Sequence, residues 1–201
     1  MPVAVLGDLC GPKIRVGRFI NDAVLLKDKA IVTITVKPVM GHDTLIPCQY
    51  KKLVTEVKIN DHILLDDGNL ELQVVGKARG VVQARVVRGG VLKNNKGMNL
   101  PDTKLNIPAL TIKDRKDVDF CIQGGVDYIA LSFVRKAGDI QQLKNLLRRQ
   151  KADIGVIAKI EKPEALENIQ AIIAVSDGIM IARGDLGVEL PARRCLLCRT
   201  S

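Results

Sequence analysis

The hydrophobic period of this chain changes along its length, which predicts an all-β segment set into an alternating α/β chain. From about Pro12 to Pro101, apolar and polar residues alternate with the period of two that a half-buried strand requires. The buried positions of this pattern are Val32, Ile34 and Val36, then Leu70, Leu72 and Val74, then Val82, Ala84 and Val86. Asp67-Gly68 lies between two such strands and favours a hairpin turn.

Outside that segment, strand and helix patterns alternate. Val3 to Leu6 predicts a first strand, which Gly11-Pro12 would end, and Thr111 to Asp114 has the form of a capping box before a helix that ends at Gly124-Gly125. Further strands are predicted at Val126–Phe133, Ile154–Ile160 and Ile179–Ala182, the last of them buried. Two helices are predicted between these strands. The first has an apolar face of Ile140, Leu143 and Leu147, and the second starts at Pro163 and has an apolar face of Leu166, Ile169 and Ile173. This alternation predicts a parallel sheet with right-handed crossovers.

Composition narrows the class of protein. With 47% apolar residues among 201 and no run of about 18 apolar residues, we expect a globular cytoplasmic protein with no membrane contact. The net charge of +9 favours an anionic ligand. Aromatic residues make up only 2% of the chain and offer no stacking surface for a nucleic acid, so small phosphorylated anions suit this charge better. Five scattered cysteines favour a reducing compartment, and Cys195 and Cys198 lack the second pair that a zinc site needs.

Two charged residues interrupt the apolar strand at Gly155–Glu161. Lys159 and Glu161 are two positions apart and therefore share one face of the strand with Ile157, while Ala158 and Ile160 face the covering helices. A Lys and a Glu inside a parallel strand need partners, so the alternatives are a satisfied salt bridge and a cation site at the carboxyl edge of the sheet.

Asp185 favours the cation site. It follows the next predicted strand, 24 positions after Glu161, which is the length of one strand-helix-strand unit. Carboxylates on neighbouring strands about 4.8 Å apart are able to share one Mg²⁺ or Mn²⁺ ion. Gly184 would let the backbone approach an anion, and Lys159 would place a positive charge beside a transferring phosphoryl group.

Six segments in order resemble the pyruvate kinase family. They are GDLCGPKIRVG at 7–17, LLDDGNLEL at 64–72, NNKGMNLP at 94–101, GVDYIALSFVR at 125–135, AKIE at 158–161 and SDGIMIARGDLGVELP at 176–191. The resemblance covers Val3 to Pro191 and implies a partial (β/α)8 TIM barrel carrying an inserted all-β lid domain. On this basis we expect a barrel strand at 1–11, the lid at 12–101, barrel strand-helix units at 102–191 and an aberrant tail at 192–201.

The resemblance also implies roles for single residues. Lys159 would be the catalytic lysine, Glu161 and Asp185 the Mg²⁺ ligands, and the backbone of Ala182, Arg183 and Gly184 the cradle for the phosphoenolpyruvate carboxylate. Two residues, Arg15 and Lys96, would contact the phosphates of ADP or ATP, although Asn94–Gly97 is also an ordinary turn sequence.

A monovalent-cation site is implied at Asp8 and Lys13. Leu9 and Cys10 stand where family members usually have Thr-Lys, and Lys13 stands where many have Glu. Members with Lys at that position tend not to require K⁺, so we predict K⁺ independence. The resemblance further implies a homotetrameric parent enzyme that converts phosphoenolpyruvate and ADP to pyruvate and ATP in glycolysis.

A whole barrel takes about 250 residues, so these 201 residues with their insert provide roughly four strand-helix units. We therefore expect an internal fragment that is inactive alone. Residues 192–201 depart from the family, and a frameshift is our hypothesis for that tail. Two alternatives stay open: a Mg²⁺-dependent aldolase acting on pyruvate enolates, and a non-catalytic truncated gene product.

Overall fold

The structure, a computed structural model, describes residues 3–189 and divides the chain into two compact units. The barrel unit comprises Met1–Pro12 and Ile107–Ser201, and the β unit comprises Lys13–Asn106. The domain boundaries expected from the sequence, after residues 11 and 101, stay a prediction. The tail at 192–201, with Cys195 and Cys198, lies outside the described residues.

The barrel unit is a parallel sheet with helices between its strands, as predicted. Its strands are β1 (Leu6–Leu9), β10 (Tyr128–Leu131), β11 (Gly155–Ile160) and β12 (Gly178–Ile181). Its helices are α2 (Ile112–Gln123), α3 (Ala137–Arg149), α4 (Pro163–Glu167), α5 (Ile169–Ile173) and α6 (Arg183–Glu189). The four described strands lie in the order β1-β10-β11-β12 with every pair parallel, which is the arrangement of a partial barrel.

One face of β11 packs on the helices and the other carries charge. Val156, Ala158 and Ile160 are at most 1% exposed and belong to the apolar core that α2 and α3 complete. Lys159 and Glu161 therefore share the opposite face, as the alternation predicted. The capping box at the start of α2 is also confirmed, since the Thr111 side chain accepts from the Asp114 amide and the Asp114 carboxylate accepts from the Thr111 amide.

The regular secondary structure of the β unit is almost entirely β-strand. The strands are β2 (Ala23–Leu26), β3 (Ile31–Thr35), β4 (Leu45–Pro47), β5 (His62–Leu65), β6 (Leu70–Ala78), β7 (Val81–Arg88), β8 (Gly90–Lys93) and β9 (Met98–Asn99), with one short helix, α1 (Leu53–Glu56). Six of the strands form one sheet in the order β4-β3-β7-β6-β5-β9, and β2 pairs with β8. The hairpin at Asp67-Gly68 is confirmed: Asp66, Asp67 and Gly68 take φ values of 51°, 53° and 82° between β5 and β6.

Two predicted strands are displaced or shortened, each for a local reason. The strand predicted at Val3–Leu6 runs from Leu6 to Leu9, because the Val5 amide donates to the side chain of Asp127. The strand predicted at Val126–Phe133 ends at Leu131, and Phe133 takes a left-handed φ of 56°.

Two further predictions were wrong. The helix predicted from Pro163 is two short helices, and the break falls at Asn168, whose φ is −107° and whose side-chain amide donates to the Glu164 carbonyl. The last strand is not buried: Ile179 and Ile181 are 38% and 46% exposed. These residues pair with Ala158 and Ile160 and so lie on the helix-covered face, but the helices do not extend over this edge strand.

No helix within residues 3–189 is long and apolar enough to cross a membrane. Cys10, Cys48 and Cys121 are free thiols, of which only Cys10 is exposed.

Two aspartates, each just before a strand, form the same pair of hydrogen bonds with a residue near the neighbouring strand. In each pair the aspartate side chain accepts from a backbone amide and the aspartate amide donates to the carbonyl of the same residue. Asp127 accepts from the Val5 amide at 2.7 Å and donates to the Val5 carbonyl at 2.9 Å. Asp177 has the same two bonds with Val156, at 2.7 and 2.9 Å, and also pairs with Lys144 at 2.8 Å. Partial burial raises the pKa of the Asp177 carboxyl, but the bonds from Lys144 and Val156 outweigh it and hold the pKa below the ordinary value of 3.8.

The lowered pKa of Asp177 predicts a contribution to acid stability. The contribution is fully present above pH 3.8 and is lost as the pH falls through the lower folded-state pKa, because the folded carboxylate must then take up a proton. We expect Asp177→Asn to lower the urea midpoint at pH 7 and to flatten its fall in acid. Circular dichroism at 222 nm measures this, since α2 to α6 all lie in the barrel unit.

The control is Asp153→Asn, which changes an exposed carboxylate of the same unit. Equal urea midpoints for Asp177→Asn and wild type across the acid range would refute the assignment.

Candidate active site

Three charged side chains meet at the carboxyl ends of two strands of the barrel unit. The Lys159 Nζ atom lies 3.0 Å from both carboxylate oxygens of Asp8 and 3.2 Å from Oε1 of Glu161. Asp8 is on β1 and Lys159 is on β11, with β10 between them. The lysine can span that strand because Ala130, the residue of β10 that lies between Asp8 and Ile157, is small.

The Glu161 carboxylate is buried, at 2% exposed, and both of its oxygens have partners. Oε2 accepts from the Phe133 amide at 2.8 Å, and Oε1 pairs with Lys159. A buried carboxylate is stable only when it is paired and hydrogen-bonded in this way. The cluster of Asp8, Lys159 and Glu161 carries two negative charges and one positive charge, so it retains a net negative charge that favours a cation.

Lys159 stays protonated in this setting. Its burial lowers the pKa of the ammonium, but the hydrogen bond to Asp8 and the charge of Glu161 outweigh the burial and raise the pKa above 10.5. The lysine is therefore a fixed positive charge and not a general base at neutral pH.

The backbone at Phe133 is a feature of the site that the sequence did not reveal. Its φ of 56° is a conformation that costs a non-glycine residue roughly 1–2 kcal/mol. The Ser132 hydroxyl, also missed, lies 3.5 Å from Asp8 Oδ1. The sequence Ser132-Phe133 at the end of an apolar strand gives no indication of a left-handed backbone turn.

The residues expected to cradle the substrate carboxylate and to bind the metal lie at the start of a short helix after β12. Asp185 lies in the first turn of α6 and not directly at a strand end as Glu161 does. The Ala182 amide donates to the Ile160 carbonyl at 3.2 Å, and the Ala182 carbonyl accepts from Leu186 at 3.2 Å. Within residues 3–189, nothing beyond the helix's own backbone and the two chain neighbours lies within 4 Å of the position that a Cβ on Gly184 would take.

The residues expected to contact nucleotide lie together at one end of the β unit. The Arg15 guanidinium donates to the Asn95 carbonyl at 3.0 Å, and the Arg15 backbone forms an isolated antiparallel β-bridge with Gly97. The Lys96 ammonium forms an ion pair with Asp66 at 2.8 Å. The hydrogen bond to Asp66 raises the pKa of the exposed Lys96 ammonium. Lys13 lies 3.9 Å from Asp67, in the hairpin that the sequence marked as a turn.

The donor set suits a hard divalent cation that keeps other ligands. Within residues 3–189, no group of three or more His, Cys, Asp or Glu side chains is arranged to hold a metal. Glu161 and Asp185 are the two carboxylates that the sequence led us to expect as ligands. Mg²⁺ is commonly bound through one or two carboxylates, with water and substrate oxygens in its other positions, so this donor chemistry fits it.

Parallel strands joined through helices, with charged side chains gathered at their carboxyl ends, define a partial (β/α)8 barrel protein whose site is at the usual end of the barrel. The family model described as pyruvate kinase, barrel domain, matches residues 1–200. The chain belongs to the pyruvate kinase family.

Individual pyruvate kinases are also similar to this chain. Pyruvate kinase 2 of Synechocystis sp. is 48% identical over 195 residues, covering 95% of this chain and 33% of the relative. The pyruvate kinase of Geobacillus stearothermophilus is 45% identical, with 94% and 33% covered. A crystal structure of a pyruvate kinase from Cryptosporidium parvum superposes with a TM-score of 0.90 at 33% identity, covering 98% of this chain and 42% of that one. The chain thus spans about a third of the length of these curated relatives.

The buried Lys159–Glu161 pair predicts strong energetic coupling. Lys159→Met would leave the Glu161 charge buried without its cation and should lower the free energy of unfolding by about 3 kcal/mol. The double variant Lys159→Met/Glu161→Gln should lose much less than the sum of the single variants, with a coupling energy of at least about 1 kcal/mol. Urea denaturation followed at 222 nm measures all three, and strictly additive losses would contradict the pairing.

Proposed function

We propose that this chain carries part of a pyruvate kinase site, at which a phosphoryl group passes between phosphoenolpyruvate and ADP to give pyruvate and ATP. The observation that carries the proposal is the Lys159 ammonium held between Asp8 and Glu161 at the strand ends. Membership of the pyruvate kinase family supports the choice of reaction.

Glu161 and Asp185 are proposed to hold the divalent ion, Mg²⁺ or Mn²⁺. The ion, when bound, neutralises negative charge on the phosphoryl and keto-acid oxygens. Lys159 is proposed as the catalytic lysine: its protonated ammonium, fixed by two carboxylates, stabilises negative charge on the transferring phosphoryl group and the enolate. Because the ammonium is positioned before substrate arrives, little reorganisation is needed during the reaction.

The backbone at the start of α6 is proposed to receive the substrate carboxylate. The Ala182 amide is already bonded to Ile160, so the amides that remain for an anion are those of Arg183 and Gly184. The open space at Gly184 supports a close approach of the ligand to this backbone.

In the β unit, Arg15 and Lys96 are proposed to contact the phosphates of ADP and ATP. Lys13 is proposed to supply the positive charge that K⁺ provides in many pyruvate kinases. If Lys13 has this role, we expect Mn²⁺ to bind the chain equally well in K⁺ and in tetramethylammonium at constant ionic strength. A steep gain in affinity on adding K⁺ would contradict this role.

Metal binding tests the proposed ligands directly. We expect the 201-residue chain to bind Mn²⁺ and Glu161→Gln to weaken that binding at least about tenfold, since a charged ligand oxygen is lost. Electron paramagnetic resonance of free Mn²⁺ measures the affinity. The matched control is Glu167→Gln on the exposed end of α4, which should bind as wild type does. Equal losses in the two variants would remove Glu161 from the site.

We further propose that the 201-residue chain has no turnover by itself, because the four described parallel strands do not close a barrel around the site. A coupled assay with phosphoenolpyruvate, ADP and Mg²⁺ should give pyruvate at the same background rate for wild type and Lys159→Met. Turnover in wild type that Lys159→Met abolishes would show that the chain is an active enzyme.

A further inference from the structure

The amide of Phe133 is aimed at the buried carboxylate of Glu161. The N–H donates to Oε2 at 2.8 Å, and the two residues are 7% and 2% exposed. Phe133 follows β10, whereas Glu161 follows β11, so this bond joins the ends of two neighbouring strands.

The residue that carries this amide has an unusual backbone conformation. Phe133 has a φ of 56°, in the left-handed region that aromatic residues rarely adopt. Its N–H belongs to the peptide group that continues β10, and the left-handed φ turns the chain immediately after that group. The turn therefore follows directly on the amide that binds Glu161.

Neighbouring residues hold the turn in place. Gly11 has a φ of 63°, and a Cβ at that position would come within 3.1 Å of the Phe133 ring and of Ser132. The Lys162 ammonium also lies 6.0 Å from the centre of the Phe133 ring, which is within the range of a cation–π contact. The ring thus packs against the β1–β2 connection and contacts the residue that follows Glu161.

We propose that Phe133 is a positioning residue of this site, whose backbone N–H fixes the orientation of the Glu161 carboxylate toward the cation. The inference rests on the proposed function, because it assigns Glu161 to the metal. Lys159 bonds Oε1 and Phe133 bonds Oε2, so each oxygen keeps lone-pair capacity for a cation. Without the Phe133 N–H, only Lys159 would restrain the soft terminal torsion of the glutamate.

The test removes this N–H and leaves every side chain in place. Incorporating phenyllactic acid in place of Phe133 by nonsense suppression converts the amide to an ester and keeps the ring. We expect the chain to bind Mn²⁺ about tenfold more weakly, which is the effect of losing a partner that orients a metal ligand. We also expect the paramagnetic resonance spectrum of bound Mn²⁺ to change, a readout that a loss of stability alone would not move.

The matched control places 4-hydroxyphenyllactic acid at Tyr128, at the amino end of β10, where the N–H donates to the Val5 carbonyl at 3.2 Å. It also loses one backbone N–H, but at a position that does not face Glu161, and should leave the affinity for Mn²⁺ unchanged. Equal weakening by the two esters would overturn the inference, as would wild-type binding by the ester at 133.

Side-chain variants test the ring separately and serve if the ester does not fold. Phe133→Leu keeps the N–H and the apolar bulk and should bind Mn²⁺ within about twofold of wild type. Phe133→Gly keeps the N–H but frees the turn and should bind several-fold more weakly. Equal affinities for Phe133→Gly and wild type would overturn the role of the ring in holding the turn.

Glu161→Gln separates this inference from the proposed function. If Glu161→Gln loses Mn²⁺ binding while the ester at 133 retains it, the inference is wrong and the proposed metal ligand stands. If wild type shows no binding that depends on Glu161, both fall together.

Discussion

A protonated lysine held between two carboxylates is the constraint on which the barrel unit's site depends. Lys159 satisfies Glu161, which is almost fully buried, and reaches across one strand to Asp8. A buried Glu161 carboxylate would be costly without its cation, and with the exposed Asp8 the three groups form a cluster with a net negative charge. Strand order, strand register and the small residues of β10 all have to be correct for this cluster to form.

The sheet and the site constrain each other. The register sets Asp8 beside Ala130 and Ala130 beside Ile157, which puts Lys159 two residues farther along the same face. The helix-facing side of β11 is fully apolar, so the charged residues have only one face available. The core therefore fixes where the ammonium lies, and the ammonium in turn makes the burial of Glu161 possible.

Much of this arrangement could be predicted from sequence, because it follows from periodicity. The alternation in β11 predicted the shared face of Lys159 and Glu161, and Thr111 with Asp114 predicted the start of α2. Backbone turns and helix breaks could not be predicted: Phe133 carries no residue-level signal for its positive φ, and Asn168 divides a helix whose apolar spacing is continuous. The exposure of Ile181 was also missed, since an apolar strand does not reveal whether helices cover its edge.

The most direct test of the account is the position of a divalent ion relative to this cluster. Crystals of the chain soaked in Mn²⁺ and measured near the manganese absorption edge would locate the ion by its anomalous scattering. The account predicts a peak within about 2.2 Å of a Glu161 oxygen, with Lys159 still bonded to Asp8. A manganese peak elsewhere, with Glu161 bonded only to Lys159 and Phe133, would contradict it.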